Sequence, residues 1–77
     1  MIIKAFKEVL RELRVKNNLS QEKLAELCDL DRTYISLLER GLRQPTITTI
    51  FKLAEALNID PSEFIKLIEL QNSDQKN

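Results

Sequence analysis

The sequence predicts an all-α fold, five short helices around one core. Three observations carry that expectation. Apolar residues recur three and four positions apart along most of the chain, and no stretch alternates strictly between apolar and polar as a strand would. Cap and breaker residues fall between these stretches, at Asn17-Asn18 and Ser20, at Asp31, at Gly41 and Thr46, and at Asn58 to Pro61. A chain of 77 residues buries only about 60% of the surface its unfolded form exposes. Its stability margin is therefore thin, which favours a single helical domain and makes oligomerisation useful.

Ile3, Phe6, Val9, Leu10 and Leu13 set the inner face of a first helix that runs to about Lys16. Asn17-Asn18 can take the left-handed backbone that ends it. Ser20 caps a second helix, with Lys23 where a full capping box has Glu. Its apolar face is Leu24, Leu27 and Cys28, and Ala25 is small enough for close helix contact. Asp31 caps a third helix, Arg32 to Arg40, with Ile35, Leu38 and Leu37 inward. Gly41 is the only glycine and follows directly, where a left-handed terminating residue is needed. Thr46 caps a fourth helix, with Ile47, Ile50, Phe51, Leu53, Ala54 and Leu57 expected in the core. Asn58 closes it. Asp60-Pro61-Ser62-Glu63 places a cap, a proline at the first helical position and an acid at the third. The last helix then carries Phe64, Ile65, Leu67, Ile68 and Leu70. From Gln71 the chain is polar, so a frayed tail over 71–77 is expected.

Composition limits the function. Hydrophobic residues make up 43% of the chain and charged ones 31%, which supports a real core and argues against disorder. Net charge is zero, which taken alone argues against a nucleic-acid partner. The distribution matters more than the sum. Met1 to Lys16 holds five basic and two acidic residues, and Arg32 to Arg43 holds three arginines against Glu39. From Glu55 onward, five acids face two lysines. Either the fold gathers these into a basic face opposite an acidic one, or they are ordinary solvated charge. One cysteine, Cys28, and no histidine leave no disulfide and no cysteine-rich metal set, so neither metal nor cofactor is expected. Cys28 reads as a small core residue. The acids Glu22, Glu26, Asp29 and Asp31 lack a histidine, a paired nucleophile or a glycine-rich phosphate loop, so no enzyme is expected. The start, Met1-Ile2-Ile3-Lys4, lacks the apolar run of a signal peptide, and no stretch approaches the roughly 20 apolar residues of a membrane span. A cytoplasmic setting without a membrane partner follows.

The second and third helices are short and joined by a tight turn around Asp29 to Asp31. A helix-turn-helix needs a small residue where its helices approach, and Ala25 is placed for that. Leu30 fits the apolar plug of the turn, and Ile35 fixes the third helix on the second. Arg32, Thr33 and Ser36 are then left exposed at the start of the third helix, where such motifs present side chains to the major groove. Arginine can donate two hydrogen bonds to guanine, and threonine offers a hydroxyl and a methyl.

Three segments carry a resemblance to a known family: Leu19-Ser20-Gln21-Glu22-Lys23-Leu24-Ala25, then Leu30-Asp31-Arg32-Thr33-Tyr34-Ile35-Ser36, then Glu39-Arg40-Gly41-Leu42-Arg43-Gln44-Pro45. From Leu19 to Leu57 the chain resembles the lambda repressor/Cro-type helix-turn-helix family, and within it the small controller proteins of restriction–modification systems. The resemblance implies a five-helix repressor-type bundle over residues 1–70 that binds double-stranded DNA. It assigns base contacts to Arg32, Thr33, Ser36 and Arg43, and backbone contacts to Gln21, Tyr34, Arg40 and Gln44. It also implies a structural salt bridge between Arg14 and Glu39. Tyr34 stays open between packing on the helix-turn-helix, a phosphate hydrogen bond and a dimer contact.

The implied activity is transcriptional control by a homodimer on a palindromic operator, with RNA polymerase a further partner if the protein activates. A stand-alone phage-like or chromosomal repressor, and a helical interaction module that does not read DNA, are the alternatives. A monomer needs one apolar stripe about 100° wide on its last helix. Phe64, Leu67 and Ile68 supply it, and Ile65 extends it further. Phe64, Ile65 and Ile68 are therefore the expected dimer interface, bordered by Ile2 or Phe6. The competing arrangement lays the first helix across the last, absorbing the whole stripe.

Overall fold

The computed structural model describes residues 1–75 of the chain. Those residues form α1 (Ile2–Lys16), α2 (Gln21–Cys28), α3 (Arg32–Glu39), α4 (Ile47–Ala56) and α5 (Pro61–Gln75), with no strand among them. The breaks follow from local hydrogen bonding. Side chains of Ser20, Asp31 and Thr46 accept from the backbone N–H groups of Lys23, Thr33 and Thr49 at 3.0, 3.0 and 3.1 Å. Each satisfies a donor that the first helical turn leaves without a partner. Left-handed residues lie just beyond the ends of the first four helices: Asn18 (φ 58°), Asp29 (φ 55°), Gly41 (φ 72°) and Asn58 (φ 60°).

Each helix turns one face inward. Leu10, Leu24, Ile35, Leu38, Leu53 and Phe64 are fully enclosed. The rings of Phe6 and Phe64 lie with centroids 6.0 Å apart and tie α1 to α5. Truncating such a side chain to alanine costs about 3–5 kcal/mol. Helix α1 also touches α3, and α4 closes the bundle against α2 and α5. No helix among the described residues is long and apolar enough to cross a membrane.

Three expected core residues face outward: Ile47 is 69% exposed, Phe51 56% and Leu27 52%. The reason lies in the angular spacing of about 100° per residue. On α4, Thr49, Ile50, Leu53, Ala54 and the capping Leu57 occupy one arc and are buried. Ile47 and Phe51, four residues apart, share the flank beside it. On α2, Leu24, Ala25 and Cys28 take the inner arc, leaving Leu27 outside. The last helix continues to Gln75, past Leu70, where the polar composition suggested a frayed tail. Gln71 donates to Glu8 at 2.7 Å and holds this extension against α1. The rest of the expected tail, residues 76–77, lies outside the described residues.

Candidate nucleic-acid interface

Helices α2 and α3 are joined by a turn that leaves little freedom. The Leu30 N–H donates to the Ala25 carbonyl at 2.9 Å and the Asp29 N–H to that of Glu26 at 3.1 Å, closing α2 around the left-handed Asp29. Ala25 is 3% exposed, so the close helix approach occurs where a longer side chain would not fit. Leu30 packs against the core. Ile35 and Leu38 are enclosed, which turns the opposite side of α3 to solvent.

That side carries the residues singled out for DNA. Arg32 and Thr33 are exposed in the first turn, and Ser36 is half-buried one turn on. Arg40, which terminates α3, and Arg43 and Gln44 in the following loop are exposed. Arg32, Ser36 and Arg40 are spaced by four and so share one side. Arg32 also lines a surface notch with Arg14, Ser20, Gln21 and Glu22, which brings the N-terminal ends of α2 and α3 together.

Two side chains are placed in ways the sequence did not reveal. Tyr34 is half-buried, its hydroxyl 3.5 Å from Thr49 Oγ1, and the Arg43 guanidinium lies over its ring at 6.0 Å. That separation is at the outer limit of a cation–π contact. Thr49 is held in turn by Thr46, whose hydroxyl donates to it at 3.0 Å. Gln21 is half-buried and donates from Nε2 to Glu39 Oε1 at 3.2 Å.

Glu39 is also where Arg14 binds. Arg14 Nε and Nη2 donate to the two carboxylate oxygens at 2.5 and 3.0 Å, and Nη1 donates to the Leu19 carbonyl at 2.8 Å. The side chains are 14% and 5% exposed. The Glu39 hydrogen bonds raise the Arg14 pKa further, against the opposing effect of burial. The pair therefore joins α1, the end of α3 and the entrance to α2.

The three residues expected at a dimer contact separate. Phe64 is 0% exposed and Ile68 4%, both sunk in the core, because α1 lies across α5 and covers them. Only Ile65 remains outside, 47% exposed. It borders an apolar groove with Ile2, Phe6, Pro45 and Ile50. Ile47 and Phe51 add exposed apolar surface on α4. Their signal was present in the sequence, since Ile47 and Phe51 widen the apolar arc of α4 beyond the side opposite Thr48, Lys52 and Glu55.

The chain matches the helix-turn-helix family over residues 10–64. The control protein C.BamHI of Bacillus amyloliquefaciens is 43% identical over 72 residues, covering 92% of this chain and 89% of that protein. The restriction–modification controller protein C.AhdI from Aeromonas hydrophila has a crystal structure that superposes with a TM-score of 0.77 at 48% identity, over 80% of this chain and 94% of that one. C.Esp1396I, solved as a tetramer in complex with its natural 35 base-pair operator, superposes with a TM-score of 0.85 at 28% identity, over 92% of this chain and 93% of that one. On the family match and these relatives, the chain belongs to the helix-turn-helix family of DNA-binding transcriptional regulators, closely related to the controller proteins of restriction–modification systems.

Proposed function

We propose that the protein is a homodimeric regulator that binds a palindromic operator and controls a restriction–modification system. The observation that carries this reading is the solvent-facing start of α3, where Arg32 and Thr33 stand clear of the core beside Gln21 of α2. Arg32, Thr33, Ser36 and Arg43 read base edges in the major groove, while Gln21, Arg40 and Gln44 hold the sugar–phosphate backbone. For Tyr34 the position under Arg43 favours a support for that loop over a direct phosphate contact. The relatives that are control proteins, and the operator complex of C.Esp1396I, support the controller role. If the protein activates transcription, RNA polymerase is a further partner.

Dimerisation uses Ile65 of α5, which borders the apolar groove lined by Ile2, Phe6, Pro45 and Ile50 and at 47% exposed is left out of the monomer core. A two-fold axis there adds the binding free energies of two half-sites, so that their weak affinities multiply, and makes binding depend on protein concentration. The setting is cytoplasmic, where the lone thiol of Cys28 stays reduced. Selection of bound duplexes from a random pool tests the DNA-reading homodimer on which the proposal rests. A two-fold symmetric site, with half-site centres about one helical turn (~34 Å) apart, is expected. Enrichment of a single asymmetric site would refute the homodimer, and no enrichment would refute sequence-specific binding.

A further inference from the structure

We infer that Glu39 is a positioning residue for DNA binding: its ion pair with Arg14 orients the Gln21 side chain toward the phosphate backbone as well as bracing the fold. The inference rests on the reading of Gln21 as a phosphate contact. A carboxylate can only accept hydrogen bonds. The Gln21 amide must therefore present its NH₂ to Glu39, as it does at 3.2 Å. One N–H is used there, and the second N–H is left for an anion. Glu39 can hold the amide only if it is itself immobile, and Arg14 supplies that with two hydrogen bonds from its planar fork. The third Arg14 bond, to the Leu19 carbonyl, ties down the backbone two residues before Gln21. The amide and the segment leading into α2 thus share one anchor.

Charge makes the arrangement workable. A lone carboxylate next to a phosphate would repel it. Arg14 neutralises Glu39, so Gln21 can approach DNA with a buried acid behind it. Ordering one flexible side chain in advance removes a cost otherwise met on binding, and corresponds to about a three- to tenfold gain in affinity.

The test is a cycle of four proteins: the parent, Gln21→Ala, the pair Arg14→Met with Glu39→Leu, and all three changes together. Affinity for duplex DNA is measured on samples shown folded by circular dichroism. Gln21→Ala should lower the parent's affinity about tenfold, and that of the double variant by less than threefold. An equal loss in both backgrounds would make the ion pair purely structural and overturn the inference. No loss in the parent would instead overturn the reading of Gln21 as a phosphate contact, a different failure. A second measurement needs no variant. The Gln21 side-chain amide of the parent should show NMR order parameters near those of rigid backbone (~0.85), while the exposed Gln44 amide should fall below about 0.6. Equal mobility of the two amides would refute the positioning role even if the variants did not fold.

Discussion

Replacing Arg14 with methionine should remove a large part of the stability of this fold. Arg14 and Glu39 are 14% and 5% exposed at their side chains, and the short Glu39 side chain cannot recover full hydration by a small movement. With Arg14 gone, the donors to the Glu39 carboxylate reduce to the Gln21 amide at 3.2 Å, and the Leu19 carbonyl loses its guanidinium donor. Removing one partner of a buried pair costs about 3–5 kcal/mol. A domain of this length has roughly 4–12 kcal/mol in total, and at 4–8 °C per kcal/mol the midpoint should fall by at least about 12 °C. The reverse change, Glu39→Leu, is milder, about 1–2 kcal/mol. It leaves Arg14 on the Leu19 carbonyl, with a flexible stem that lets the charge reach water. The double variant should regain about 2 kcal/mol or more of the summed losses. Urea denaturation of the four proteins at one fixed concentration measures this, the fixed concentration holding any dimer linkage constant. Arg14 remains cationic throughout, because its bonds to Glu39 raise its pKa. Losses that add within about 0.5 kcal/mol would show instead that the two charges are not coupled.

Arg32→Ala should lose discrimination at one or two base pairs per half-site, roughly 1–3 kcal/mol each. A uniform loss over all sequences in competition binding would make Arg32 a phosphate ligand instead. Ile65→Glu places a charge on the exposed apolar face while sparing the core. Sedimentation should find the parent a dimer at micromolar concentration and the variant a folded monomer that binds operator at least tenfold more weakly, whereas an unchanged dimer would place the interface elsewhere. Asp29→Gly should stabilise by up to about 1 kcal/mol, since the left-handed backbone (φ 55°) costs an L-residue about 1–2 kcal/mol and glycine's extra flexibility returns part of that. A lower urea midpoint would show that Asp29 is not strained. Burial chiefly, with the Glu55 charge, pushes the Cys28 thiol up, against the opposing Lys52. The folded form therefore holds that proton more tightly than the unfolded chain. The resulting stabilisation is present below the unfolded value of about 8.5 and is lost as pH rises through the folded one. Cys28→Ala should flatten the decline between about pH 8 and 10, and an identical slope would contradict the assignment.

Features that neighbours within one or two turns decide were legible in the residues alone. Ser20, Asp31 and Thr46 cap because each side chain reaches a backbone N–H two or three residues on. Asn18, Gly41 and Asn58 lie at helix ends because asparagine and glycine tolerate positive φ. The helix-turn-helix was legible because Ala25, Leu30 and Ile35 are spaced by its geometry. Tertiary structure alone decided which apolar residues face water. On α4 the exposed Thr48, Lys52 and Glu55 mark the polar side, but the apolar arc is wider than the inner face, and only the placement of α2 and α5 leaves Ile47 and Phe51 at its exposed edge. In the same way, α1 crossing α5 buries Phe64 and Ile68 and leaves Ile65 out. Arg14 and Glu39 stand 25 residues apart with no local signal between them, and only the family resemblance paired them. The Gln21 bond to Glu39, the Tyr34 approach to Thr49 and the Gln71 bond to Glu8 had no such guide. Side chains meet across helices only once crossing angles are set, and those angles depend on the packing of the whole core.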